Sequence, residues 1–337
     1  MYTIYLNLTS NSLSKPIVAL RDWSLITKNE ENIMNVNWQG VYPAVTTQYN
    51  EDLSINFEAT TQVVDTIIKE GVNGIIALGT VGENASHTRE EKVAILKAVK
   101  EVVAGRVPVL SGVAETSTQI AIEFSQACEV IGIDGLMVLP GMIYKSDESE
   151  AVNHYQQIAR NCGLPIMIYN NPVTYGVDVG IEGMKILAQE DNIVSIKEAT
   201  EDTRRISELY SAFDDRFVIF GGVDDIALES LMLGCTGWIS GLTNVFPKES
   251  VAIYKLAEQG RYNEALEIWR WFLPLLRLDT VPKLVQCIKL CEQLAGRGSE
   301  LTRAPRMPLV GDERANVERV YNEAVANRID LSKFNLD

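Results

Sequence analysis

The chain has 337 residues, 46% hydrophobic and 22% charged, proportions of a folded globular protein large enough for one α/β barrel or two average domains. Its formal net charge of −15 runs against nucleic-acid binding, which needs clustered Lys and Arg, and no apolar run approaches the roughly 18 residues of a membrane span. Five cysteines without a CxxC pair and only two histidines, His87 and His154, leave little from which to build a metal site or a Ser-His-Asp hydrolase, so no metal and no cofactor is expected.

Residues 1–33 lack a basic start followed by an apolar core, so no secretory signal is read and a cytoplasmic location is expected. Met34 stands directly before strand-like patterning, which makes 1–33 an N-terminal extension expected to have little fixed structure. From residue 40 onward, short β-branched or apolar runs alternate with helical-period stretches. The runs are 40–47, 74–79, 107–113, 135–140, 165–170, 193–198, 217–222 and 237–242. Between them lie segments such as 89–104, with Val93, Leu96, Val99 and Val103 on one face. Eight such units predict a closed (β/α)8 TIM barrel over residues 34–258. An open doubly wound sheet would show fewer strands and, for dinucleotides, a Gly-rich turn after the first; here that strand leads into "TTQYNED". After the eighth strand, 247–258, 261–277, 280–295 and 312–326 read as helices, more than one barrel unit needs, so 259–337 is expected to form a C-terminal helical appendage.

In such barrels active groups sit where strands end at their C-terminal edges. That rule selects Thr46 and Thr47 after strand one, Gly79, Thr80, Val81, Gly82 and Glu83 after strand two, Tyr169, Asn171 and Thr174 after strand five, Lys197 on strand six, and Gly221 and Gly222 on strand seven. Lys197 is the sharpest of these. An ammonium in a barrel interior is costly unless the amine becomes neutral, and a neutral amine can condense with a 2-keto acid to give an imine, an electron sink for adjacent bonds. A structural lysine paired with Glu198 is the competing account, disfavoured because adjacent strand residues point to opposite faces. Tyr169 is placed to pass protons to the carbonyl that Lys197 attacks, though a strand-end tyrosine can equally be core. "GTVGE" offers backbone N–H groups for a carboxylate, or is a plain turn in which Glu83 favours a helix start.

At these residues the sequence resembles the dihydrodipicolinate synthase and N-acetylneuraminate lyase family of Schiff-base barrels, through "GTVGE", "YNNP", "IKE", "GGVDD" and "GWISGLTNVFP" across roughly residues 38–325. The resemblance implies that Lys197 forms the imine, that Tyr169 relays protons with Thr80, that the backbone at Thr80 and Val81 holds the substrate carboxylate, and that Gly222 and Ile239 line the pocket. It implies a small keto or imino acid substrate and a homo-oligomer, dimer or tetramer. Three features depart from the synthase pattern: Thr174 replaces an arginine that grips a carboxylate, Val81 replaces a threonine, and the inter-subunit tyrosine pair aligns with Gly141 and Met142 unless a shift brings in Tyr144. With "MVLPGMIYK", "KEATEDTRRI" and "RWFLPLLRLDT", these departures resemble the branch of Δ1-pyrroline-4-hydroxy-2-carboxylate deaminase, which opens a cyclic imine and releases ammonia and 2-oxoglutarate semialdehyde. The lysine-biosynthesis synthase, or another pyruvate-dependent aldolase, is the alternative. Two further readings stay open: a barrel that only binds a ligand, and a phosphate site at Gly221, Gly222 and Gly241, which leaves Lys197 unexplained.

Overall fold

The eight apolar runs become eight parallel strands, β1 (Gly40–Pro43), β2 (Ile75–Ala77), β3 (Val109–Val113), β4 (Gly135–Val138), β5 (Ile166–Asn170), β6 (Ile193–Glu198), β7 (Val218–Gly221) and β8 (Gly237–Ser240). The structure, a computed structural model, describes residues 33–141 and 144–336. All of the expected N-terminal extension but Ile33, and Met142, lie outside the described residues. Neighbouring strands pair in chain order from β2 to β8, and β8 pairs with β1. The remaining seam, between β1 and β2, is closed by a parallel bridge from Ala44 to Ile76 and by Val45 N–H donating to the Ile76 carbonyl at 2.9 Å. A sheet without a free edge is a barrel, and the open-sheet alternative falls.

Outside the strands run α1 (Phe57–Lys69), α2 (Arg89–Val103), α3 (Thr118–Ile131), α4 (Glu148–Arg160), α5 (Pro172–Tyr175), α6 (Ile181–Leu187), α7 (Arg204–Phe213), α8 (Ala227–Met232) and α9 (Pro247–Glu258). Local chemistry sets their starts. Asn56 and Ser117 cap α1 and α3 with their side chains, while Thr88 with Glu91 and Asp147 with Glu150 form reciprocal capping boxes on α2 and α4. α3 ends at Gly132 with a left-handed φ of 82°, which glycine adopts without steric cost.

The end of the barrel opposite the strand C-termini is filled by large side chains set against glycines. A Cβ at Gly74 would sit 2.1 Å from the Tyr42 ring, one at Gly135 2.4 Å from the Trp38 ring, and one at Gly237 2.3 Å from the Phe220 ring. Tyr42 and Phe220 in turn meet edge to face at 5.0 Å. This packing closes the bottom and leaves polar groups to the other end.

Past α9, α10 (Tyr262–Leu276) packs on α9, and α12 (Gly311–Ala326) on α10 and α11 (Leu284–Leu294). All five cysteines are free and buried, Cys287 and Cys291 within α11. Among the described residues no helix is long and apolar enough to cross a membrane.

Candidate active site

Parallel register places Tyr169 of β5 directly beside Lys197 of β6, which is in turn beside Phe220 of β7. The Lys197 side chain lies along Gly222, where a Cβ would come within 2.8 Å of its Cγ and 2.9 Å of its Cε; glycine is what leaves room for it. Lys197 Nζ sits 3.9 Å from the centroid of the Tyr169 ring, and both residues are buried, at 7% and 8% exposure. No hydrogen bond or ion pair reaches the Lys197 amine among the described residues. Glu198 points elsewhere, accepting from Thr200 N–H at 2.7 Å and from Asn170 Nδ2 at 3.3 Å, so the structural-pair account of Lys197 fails. Burial lowers the Lys197 pKa from its ordinary value, partly opposed by the Tyr175 phenol and the carboxyls of Asp279 and Asp224.

Those two acids were not among the sequence candidates. Asp224, at the start of the segment after β7, accepts from Trp238 Nε1 at 3.0 Å, Ser240 Oγ at 3.1 Å and Leu242 N–H at 3.1 Å. Burial nonetheless raises its pKa to about 6. Asp279, between α10 and α11, is raised well above the usual carboxylate range by burial and by Asp224, and its Oδ1 has no partner among the described residues. Two carboxyls sharing one environment favour a single negative charge, which can balance one protonated imine.

"GTVGE" forms a tight corner. Leu78 and Glu83 flank it with positive φ values of 55° and 56°, an arrangement that costs non-glycine residues about 1 kcal/mol each. The corner is fixed from three sides. Gly112 admits the Leu78 carbonyl, since a Cβ there would lie 2.1 Å from that oxygen. Asn84 Nδ2 donates to the same carbonyl at 2.9 Å. The fully buried Glu83 carboxylate pairs with the equally buried Lys289 of α11 at 3.0 Å and accepts from Arg303 N–H at 3.0 Å. Thr80 Oγ1 and the Tyr175 hydroxyl share a hydrogen bond of 2.7 Å, and the N–H groups of Thr80 and Val81 have no acceptor among the described residues. Pre-positioned N–H donors free of an internal acceptor are what a 2-keto carboxylate needs.

The other candidates are placed as follows. Asn171 Nδ2 donates to the Tyr169 hydroxyl at 3.2 Å, and its Oδ1 caps Thr174 N–H at 2.9 Å, leaving Thr174 exposed. Thr46 Oγ1 donates to the buried Glu292 carboxyl at 2.8 Å and Thr47 Oγ1 to the Gly82 carbonyl at 2.9 Å, so both hydroxyls tie elements together. Gly82 is needed there, its Cβ position lying 2.9 Å from the Val45 carbonyl, while Gly79 is less crowded, with the Met137 methyl at 3.4 Å. Ile239 is buried in β8 opposite Tyr42. Tyr144 is 60% exposed and donates to Glu150 at 2.6 Å at the start of α4. Tyr175, Asp224, Asp279, Lys289 and Glu292 were missed. Tyr175 stood shortly after Tyr169, a second phenol in "YNNPVTYG"; Lys289 and Glu292 showed only helical spacing.

A model described as the dihydrodipicolinate synthetase family matches residues 37–324. A 4-hydroxy-tetrahydrodipicolinate synthase 1 of Halalkalibacterium halodurans is 32% identical over 282 residues, 84% of this chain and 96% of the relative. A 4-hydroxy-tetrahydrodipicolinate synthase of Methanococcus maripaludis is 30% identical, covering 84% and 98%. Among solved structures, the 4-hydroxy-tetrahydrodipicolinate synthase of Methylacidiphilum fumariolicum superposes with a TM-score of 0.83 at 26% identity, over 88% of this chain and 98% of that one.

Proposed function

The chain belongs to the dihydrodipicolinate synthetase family, whose members are Schiff-base lyases, and from that premise we propose that it acts on a small 2-keto or cyclic imino acid through an imine on Lys197. The observation that carries this reading is the Lys197 amine, buried without a counter-ion 3.9 Å from the centre of the Tyr169 ring. In the proposed course, the carboxylate of the substrate rests on the N–H groups of Thr80 and Val81. Neutral Lys197 attacks C2, a C–N bond forms, and the carbonyl π pair moves to oxygen, which takes one proton from the Tyr169 hydroxyl and, once the nitrogen has shed a proton that restores Tyr169, a second by the same route as the C–O bond breaks. Loss of water, carrying off that oxygen, leaves an imine whose protonated form draws electrons from C3. The carboxyl pair of Asp224 and Asp279 supplies the balancing charge.

For the substrate, two readings are carried. The names of the curated relatives support a 4-hydroxy-tetrahydrodipicolinate synthase, in which the C3 enamine of pyruvate adds to an aldehyde. None of the relatives named above is called a deaminase. One observation favours the deaminase reading: Thr174, exposed and backbone-capped, offers no guanidinium to a second carboxylate, and a substrate with a single carboxylate needs none. Assembly as a homo-oligomer belongs to the proposal and rests on resemblance alone. Two assays run in parallel separate the readings: pyruvate with aspartate semialdehyde, followed by ring formation, and Δ1-pyrroline-4-hydroxy-2-carboxylate, followed by ammonia release. Turnover of the first pair alone establishes the synthase; ammonia release alone establishes the deaminase; turnover of neither, with no imine trapped from any keto acid, removes the proposal.

A further inference from the structure

Tyr169 is one of two phenols at the amine. Tyr175 stands edge-on to it, ring centroids 5.5 Å apart and planes at 86°, and bonds Thr80 at 2.7 Å. Both tyrosines come from one stretch of one chain, and Asn171 fixes both. Its amide nitrogen holds the Tyr169 hydroxyl, and its oxygen caps the short turn Pro172–Tyr175 that carries Tyr175. Burial pushes both phenols above their ordinary range, Tyr169 to about 12, so each enters the reaction protonated. Meanwhile Tyr144, the tyrosine after β4, is engaged with Glu150 on the surface of α4.

We infer that Tyr175 completes the proton path in cis: protons pass between the reacting oxygen, Tyr169, Tyr175 and Thr80 within a single chain, with no phenol borrowed from a second copy. This rests on the lysine-imine reading. The balance is closed. Two protons leave the Lys197 nitrogen as the amine becomes a neutral imine, and two reach the oxygen that departs from C2 as water: Tyr169 gives each to the oxygen and is refilled by Tyr175, Tyr175 is refilled through Thr80, and each proton shed by the nitrogen restores the path. Tyr175 is here a positioning and relay residue, acting on the substrate through Tyr169.

The test uses the full chain with Tyr175→Phe, which keeps the ring and removes the hydroxyl. Turnover number is expected to fall about 10²-fold, KM for pyruvate to stay within about threefold, and borohydride still to trap pyruvate on Lys197 at equilibrium, since only the rate of proton movement is lost. Thr80→Val removes the other end of the same bond, and the double variant should lose no more than about threefold beyond the worse single one. Co-expressing Tyr175→Phe with Lys197→Ala distinguishes cis from trans. Action in cis gives mixed oligomers no activity above that of the parents; recovery toward half of the wild-type rate overturns the cis assignment. Wild-type turnover in soluble Tyr175→Phe overturns the relay. Should that variant fail to fold, additive losses in Thr80→Val combined with Tyr169→Phe overturn it instead, and sub-additive losses support it. Absence of any trapped adduct in the wild-type protein is a different failure, that of the imine reading itself.

Discussion

Lys197 loses its water on folding and gains an aromatic face, a glycine and two distant carboxyls, but no counter-ion. That exchange favours the neutral amine and also costs stability, because the unfolded chain holds the proton more tightly than the folded one. The sign follows from the lowered pKa. The cost is present in full below the folded-state pKa of Lys197 and disappears as pH rises toward the ordinary lysine value of 10.5. Lys197→Met should therefore abolish imine formation yet raise stability by about 1 kcal/mol at pH 7, with the advantage over wild type shrinking as pH approaches 10. Urea denaturation of both proteins across that range checks it; a variant less stable than wild type at pH 7 would mean that the amine is favourably paired after all. At this scale the sequence was informative, since one charge inside an apolar strand identifies itself. Asp279 was not legible, because nothing local to "RLDT" shows that its side chain meets Asp224 at the barrel mouth.

Among the elements, α11 ties the C-terminal appendage to the "GTVGE" corner. Lys289 reaches Glu83 at 3.0 Å and the Thr47 carbonyl at 2.8 Å, and Glu292 accepts from Thr46 at 2.8 Å. The Lys289–Glu83 pair is fully buried, and without Lys289 the Glu83 carboxylate keeps only the Arg303 N–H at 3.0 Å and the Arg306 guanidinium at 3.7 Å. Lys289→Met should cost about 3–5 kcal/mol and disturb the Thr80–Val81 donors, while Lys289→Met with Glu83→Gln should recover more than half of that loss. Chemical denaturation measures the stability, and KM for the keto acid reports the donors. Equal losses in the single and double variants would show that the pair does not hold the corner. The periods of the strands and of helices 89–103, 247–258 and 262–276 were readable because each burial pattern lies within its own segment. The Glu83–Lys289 contact was not, since its partners stand 206 residues apart and periodicity carries no long-range address.

For the whole molecule, the count of eight βα units was enough to close the barrel, because a parallel strand needs a crossover and eight of them leave no free edge. The substrate is a finer matter. It depends on the residues that would hold the rest of the substrate, and there the exposed Thr174 offers no guanidinium while the named relatives are synthases. Neither outcome there alters the central claim, that the chemistry runs through an imine on one buried lysine. That claim is tested by reducing the intact protein with borohydride in the presence of pyruvate and mapping the product by peptide mass spectrometry. A single pyruvate-derived adduct on Lys197, absent from Lys197→Ala, is the predicted result; adducts scattered over surface lysines, or none with any keto or imino acid, would contradict it.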